Sequence, residues 1–220
     1  SKRKKVEKEI YRGLLIAGKL KKSSPKNQIM TELKHLYYNN ELIDKLDSDD
    51  YILGFNNGVY DFRQKCFRRG QPSDYVSMTT GYNYIELDDS VEKHKKMINE
   101  INDFMAKVFP HEGLRKYMWE HLASCLIGEN KAQKFNVYIG CGSNGKSKMI
   151  DFVKYALGDY YGTVDIANFT TRRRGGGGPT PELIELRNMR YVNMSEPSNG
   201  DQLNDGLMKQ WTGEIGRAHV

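Results

Sequence analysis

Phe135-Asn136-Val137-Tyr138-Ile139, then Gly140-Cys141-Gly142-Ser143-Asn144-Gly145-Lys146-Ser147, then Lys148 to Leu157 decide how this chain is read. The first five residues are a short apolar run of strand type. The next eight match G-x-x-x-x-G-K-[ST]. The last ten place Met149, Ile150, Val153, Ala156 and Leu157 on one helical face, with Gly158 as the stop. Strand, glycine-rich loop and helix, in that order, are what a phosphate-binding loop requires. The glycines let the loop curl so that backbone N–H groups point at phosphate oxygens, and the helix N-terminus adds partial positive charge. Gly140, Cys141, Gly142, Ser143, Asn144 and Gly145 are therefore expected to form the cradle. Lys146 supplies a point charge to the β and γ phosphates, and the Ser147 hydroxyl is a magnesium ligand. ATP or another nucleoside triphosphate, with Mg2+, is the expected cofactor.

Hydrolysis needs a carboxylate at the end of a neighbouring strand to polarise a water in line with the γ phosphate. Arg190 to Met194 (RYVNM) has strand character and runs into Ser195-Glu196-Pro197. Glu196 is the expected catalytic base and, partly through water, a contributor to the metal shell. The competing reading is a surface residue in a turn before Pro197. Many phosphate-loop enzymes carry Asp just before this Glu; here Ser195 stands there. Between the two motifs lie Arg172-Arg173-Arg174, a run of glycines from Gly175 to Gly178, and Thr180-Pro181-Glu182, a helix start with Pro at its first position. The three arginines fit contact with DNA or a neighbouring subunit's phosphate, and equally a solvated loop.

Upstream, Leu114, Tyr117, Met118, His121, Leu122, Cys125 and Leu126 form an apolar helical stripe ending near Gly128, which reads His121 as a packed core residue. Val91 to Phe109 is a second amphipathic helix, with Asp89 and Glu92 spaced as a capping box and Pro110 after its end. Tyr51 to Ile85 breaks into short strands: YILGF, an Asn57-Gly58 turn signal, VYDF, a basic patch from Lys65 to Arg69, and YVSMTT. Before that, helical stretches are expected around Val6 to Ile16 and Glu32 to Leu46, separated by Ser23, Ser24 and Pro25.

The chain has 220 residues, a mean hydropathy of -0.70 and a net charge of +6. No apolar run approaches the roughly 20 residues of a membrane span, and the basic start SKRKK leads into no secretory segment. Cys66, Cys125 and Cys141 show no metal-ligand spacing and suit a reducing compartment, so cytoplasm is the expected location. The basicity is local. Residues 1 to 34 carry eleven Lys and Arg against three acids, which leaves the remainder at net -2. That cluster fits phosphate contact and equally a solvated helix.

Three segments together are more specific than any one: GCGSNGKS, RYVNMSEP, and Leu207-Met208-Lys209-Gln210-Trp211-Thr212-Gly213. They resemble the superfamily 3 helicase domain of primase-helicases from large nucleo-cytoplasmic DNA viruses, the poxvirus and giant-virus type. Leu53 to Phe62 and Pro72 to Ser77 are similar to the small domain that precedes that helicase, so the resemblance spans roughly residues 42 to 213. It implies a ring, hexameric in the family, that uses ATP to translocate on single-stranded DNA at a replication site in the host cytoplasm. It also implies that Lys209 lies in the element reaching the DNA. After Gly213 the family pattern continues Gly-Asp, where this chain has Glu214 and then IGRAHV. Ile215 to Val220 are set aside as a non-native scar, and the sensor asparagine and arginine finger are expected beyond the fragment, which alone should be nearly inactive.

The expected fold is α/β: a P-loop NTPase core of the AAA+-like superfamily 3 type. Its parallel sheet begins with residues 135–139. The expected organisation is a basic helical tail of an upstream region (1–48), a small α+β domain (49–112), a truncated helicase core (113–214) and the scar (215–220). Two further readings stand beside the helicase: a nucleic-acid-binding or assembly module whose nucleotide site is structural, and a non-helicase P-loop ATPase.

Overall fold

The computed structural model describes residues 2–131, 133–170, 185–196, 200 and 202–213. The chain divides into two compact units, Ser1–Asp44 and Lys45–Val220. Arg172 to Gly178, the helix start at Thr180-Pro181-Glu182 and the scar at 215–220 lie outside the described residues.

The first unit is helical. α1 (Lys2–Leu20) extends beyond the expected Val6 to Ile16 at both ends, whereas the expected Glu32 to Leu46 helix is not continuous: α2 (Ser23–Leu36) starts earlier and stops at Leu36, and α3 (Leu42–Lys45) is a single turn at the unit boundary. Ser23, Ser24 and Pro25 open α2 rather than separating two helices. Proline is tolerated there because first-turn N–H groups have no intrahelical partner to lose. Val6, Ile10 and Leu14 recur at helical spacing on α1 and stay exposed.

The second unit begins with an antiparallel meander of β1 (Ile52–Phe55), β2 (Gly58–Asp61) and β3 (Cys66–Arg68), in which Leu53 pairs with Tyr60 and Tyr60 with Phe67. The turn is Asn56-Asn57, one residue earlier than Asn57-Gly58. Residues 75–80, read as a strand from sequence, form none. They reach β1 through Thr80 N–H, which donates to the Gly54 carbonyl at 3.0 Å, and just beyond both segments Asn56 N–H donates to the Tyr82 carbonyl at 2.9 Å. Gly54 permits that approach: a Cβ there would collide with the Met78 carbonyl and stand 2.8 Å from Val76 Cγ1.

α4 (Glu92–Val108) and α5 (Glu112–Ser124) follow. The Asp89–Glu92 capping box does not form. α4 starts at Val91 with no side-chain cap, because Asp88 instead accepts from Ser90 N–H at 2.7 Å while His94 Nδ1 takes the Asp88 N–H at 3.1 Å. α6 (Lys146–Leu157) buries Met149, Val153 and Leu157, as its sequence period requires. These side chains share one core with Leu53, Met105, Met118, Tyr160 and Tyr191.

β4 (Tyr161–Val164) and β5 (Tyr191–Met194) make a small parallel sheet, Tyr161 opposite Tyr191 and Val164 opposite Met194. α7 (Asp205–Thr212) packs Met208 and Trp211 on Val164 and Phe169. The architecture is thus mixed α/β with a small parallel sheet. Residues 135–139 are the main correction: no ladder includes them among the described residues, and Phe135, Val137 and Ile139 are exposed by 47, 65 and 89%. A strand exists only where a neighbour takes its backbone groups, and β4 and β5 take each other's.

Candidate nucleotide site

The loop that sequence marks for phosphates is positioned by two helices. Gly145 stands at the N-cap of α6 with φ +84°, a left-handed conformation that glycine reaches without a Cβ penalty. A Cβ at this position would also stand 2.8 Å from Val108 Cγ2, so the last turn of α4 abuts the loop. Met149 N–H donates to the Gly145 carbonyl at 3.0 Å and closes the first turn of α6. The N–H groups ahead of that bond are the ones a helix N-terminus offers to an anion.

Lys146 folds back onto its own loop. Its Nζ donates to the Gly140 carbonyl at 2.8 Å and to Asn144 Oδ1 at 3.2 Å. The Asn144 amide lies against Gly140, in the space a Cβ would fill. Gly142 has open space around its Cα, and Cys141, Gly142, Ser143, Asn144 and Ser147 are exposed. The residues present fit a polyphosphate: an exposed glycine-bearing loop, a helix N-terminus and an ammonium whose present acceptors are weaker than phosphate oxygens. No group of three or more His, Cys, Asp or Glu capable of holding a metal occurs among the described residues. Magnesium keeps most of its waters and takes one or two protein ligands plus substrate phosphates. Ser147 and Glu196 are the side chains that would serve it.

Glu196 follows β5 by two residues and is exposed, with no hydrogen bond or ion pair among the described residues. Lys209 is exposed on α7, whose N-cap Asn204 accepts from Leu207 N–H at 3.1 Å. No hydrogen bond or ion pair between described residues joins Glu196 or Lys209 to the loop.

Two features escaped sequence reading. Arg190, immediately before β5, donates to the carbonyls of Asp50, of Asp49 at 3.3 Å and of Ile52 at 2.8 Å, and its guanidinium lies 5.4 Å over the Tyr160 ring. It fastens the start of the strand leading to Glu196 onto the meander. The second is a chain of polar side chains around His121. Its Nε2 is 2.8 Å from Tyr138 Oη, which accepts from Tyr191 Oη at 3.2 Å. His121 is thus hydrogen-bonded, not merely packed. Burial pushes its pKa below the ordinary value, and burial raises those of Tyr138 and Tyr191. The available signal was the alternation in residues 135–139, which places Asn136 and Tyr138 on one side.

Residues 5–110 match the family model described as D5 N terminal like. A relative from Acanthamoeba polyphaga mimivirus, named “Putative helicase”, is 37% identical over 198 residues, 90% of this chain and 20% of its own length. Nearly half of the chain is thus similar to the D5 N terminal like family, and most of its length to viral proteins named as helicases or primases. A helicase-named relative from Invertebrate iridescent virus 3 is 29% identical over 89% of the chain and 21% of its own length. A primase of fowlpox virus is 27% identical over 70% of the chain and 20% of its own length. The chain therefore spans about a fifth of the length of the curated relatives it matches.

Proposed function

We propose that residues 140–147 bind a nucleoside triphosphate with magnesium, and that the chain is part of an ATP-driven DNA helicase. The observation that carries this reading is the conjunction at α6: a left-handed Gly145, Lys146 as the first helical residue, and an exposed loop whose lysine donates to its own loop's oxygens. Binding exchanges the Gly140 carbonyl and Asn144 Oδ1 for phosphate oxygens at Lys146 Nζ. The backbone N–H groups at the start of α6 hold the remaining phosphate charge. Magnesium, when bound, neutralises charge between the β and γ phosphates; Ser147 offers it a hydroxyl. Glu196 orients and deprotonates the attacking water.

Single-stranded DNA as the partner is supported by the names of the relatives and by the exposed Lys209 on α7. A ring of copies is proposed for the whole protein, at a viral replication site in the cytoplasm. No helix among the described residues is long and apolar enough to cross a membrane.

The test is binding of a fluorescent ATP analogue with magnesium. Charge-assisted bonds contribute about 1.5–3 kcal/mol each, so Lys146→Ala is expected to weaken affinity roughly 10- to 150-fold. In the full-length protein, Glu196→Gln should keep binding and lower turnover by about 10²–10⁴-fold. Equal affinity of wild type and Lys146→Ala would refute the nucleotide reading.

A further inference from the structure

Residues 135–139 lead into the phosphate loop, yet no backbone hydrogen bond holds them among the described residues. Their anchors are two side chains on one side. Asn136 Oδ1 accepts from Tyr117 Oη at 3.0 Å, and Asn136 Nδ2 lies 3.4 Å from His121 Nδ1. Tyr138 Oη sits 2.8 Å from His121 Nε2 and takes the Tyr191 hydroxyl at 3.2 Å. His121 therefore bridges both anchors, and through Tyr138 it reaches β5, the strand that leads to Glu196.

With the Asn136 amide oriented as it is, the network sets the tautomer. The Tyr117 hydroxyl donates to Asn136 Oδ1, so the Asn136 amide nitrogen faces His121 Nδ1, which must accept. Nε2 then carries the proton and donates to Tyr138. A neutral imidazole satisfies both bonds with one donor and one acceptor. An imidazolium has two donors, and its Nδ1–H would oppose the Asn136 N–H. Relieving that opposition requires the amide to turn and the Tyr117 hydroxyl to change from donor to acceptor, so the arrangement held by neutral His121 is broken.

We propose that His121 is a positioning residue for the nucleotide site: neutral, it holds the approach to the phosphate loop in register with the strand leading to Glu196, and its protonation loosens nucleotide binding. The proposal rests on the nucleotide reading of residues 140–147. Among the described residues, the side chains that contact the ring carry no negative charge, although its place in the last turn of α5 favours a cation. From α5, Tyr117 stacks on the ring at 6.4 Å and Cys125 Sγ donates to the His121 carbonyl at 3.3 Å. From residues 135–139 come Asn136 and Tyr138. Tyr191 approaches from β5, with Tyr161 of β4 stacked on it at 5.9 Å. All are uncharged near neutral pH. Glu120, next along α5, is exposed and lies 4.0 Å from Lys116. Burial is the cause of the lowered His121 pKa.

The experiment measures affinity for a fluorescent ATP analogue with magnesium between pH 5.5 and pH 8. It uses wild type, His121→Gln, His121→Phe, Tyr138→Phe and Lys146→Ala, with a melting curve at each pH to confirm folding. Losing one hydrogen bond of ordinary net strength corresponds to about a fivefold change in affinity. The wild type is expected to weaken about fivefold more on acidification than His121→Gln, which keeps a donor and an acceptor but does not titrate. His121→Phe and Tyr138→Phe should both bind about fivefold more weakly at pH 8 and lose the acid-dependent component. A residue of merely structural importance would lower the melting temperature and leave the pH profile of the folded protein unmoved. If Lys146→Ala abolishes binding while His121→Gln keeps the wild-type profile, the positioning role is overturned and the nucleotide reading survives. If Lys146→Ala binds like wild type, the nucleotide reading fails and takes the proposal with it. Should His121→Gln not fold, Tyr138→Phe decides: wild-type affinity and pH profile in that variant overturn the proposal.

Discussion

Removing one oxygen atom from Tyr160 should destabilise the second unit by about 3 kcal/mol. The Tyr160 hydroxyl, on the turn between α6 and β4, donates to the Met78 carbonyl at 2.9 Å and accepts from Gly54 N–H at 2.9 Å. The ring is buried among Leu53, Met105, Met149 and Leu157. Tyr160→Phe keeps that ring, and keeps the face on which Arg190 rests, so neither apolar burial nor the cation–π contact changes. What it leaves behind is a backbone N–H and a backbone carbonyl without partners. An orphaned buried group costs about 1–3 kcal/mol, and two at about 1.5 kcal/mol each give the expected loss of about 3 kcal/mol. For a unit of this size that is a fall in Tm of roughly 6–12 °C. Urea unfolding followed by far-UV circular dichroism and by Trp119 fluorescence would measure it, since Trp119 packs against the same core. A loss under about 0.5 kcal/mol would show that water or backbone adjustment replaces the hydroxyl, and the reasoning would fail. Non-coincident transitions from the two probes would instead show that the core does not unfold as one.

Gly145→Ala places a Cβ in left-handed backbone and 2.8 Å from Val108 Cγ2, so it should lower stability by roughly 1–3 kcal/mol and weaken nucleotide binding; an unchanged urea midpoint would contradict both. Acid should destabilise the protein in two windows. The His121 pKa is held below its ordinary value of about 6.5, so the unfolded chain takes up that proton first and stability falls as pH drops through 6.5 toward the folded value. Asp74 is held below the usual carboxylate range by its hydrogen bond with Arg68, so its contribution persists above about pH 4 and disappears as pH falls through the depressed value; urea midpoints across pH 2–8 should lose this second step in Arg68→Met. Ile139→Thr should change stability by less than about 0.5 kcal/mol, because the side chain is 89% exposed; a loss of 2 kcal/mol or more would return residues 135–139 to a buried strand.

How much of this was legible depended on the range of the interaction. α4, α5 and α6 were readable because their signal is local: apolar residues recur every three or four positions, and Met105, Met118, Met149 and Val153 all fall on the buried side. Gly145 was readable because the G-K-[ST] pattern names a backbone conformation, and that residue adopts it. Residues 135–139 misled because a strand-like composition says nothing about which neighbour supplies the ladder. The Asp89–Glu92 spacing misled in the same way: it permits a capping box, but Asp88, Ser90 and His94 offered the backbone a competing set of bonds. Arg190 left no trace at all. Its acceptors are backbone carbonyls roughly 140 residues away, and a carbonyl has no residue type to recognise. His121 was read from its apolar stripe, correctly for position and incompletely for chemistry, since period reports burial and not hydrogen bonding.

The loop is held from outside any sheet, and this bears on how the site can work. α4 reaches it through Val108 against Gly145, α6 begins at it, and α5 reaches the residues before it through Tyr117 and His121. Two of these supports are apolar or covalent and indifferent to solution conditions. The third is a set of hydrogen bonds whose central member is a histidine that burial holds below its ordinary pKa. Polar anchors of this kind fix geometry without adding much stability, because folding exchanges them against bonds to water. They can therefore be loosened at small cost to the fold, whereas loosening the Gly145–Val108 contact would disturb the buried face of α6. If nucleotide affinity is adjustable anywhere in this chain, the physical chemistry places the adjustment at Asn136, His121 and Tyr138, ahead of the loop, and not in the loop itself.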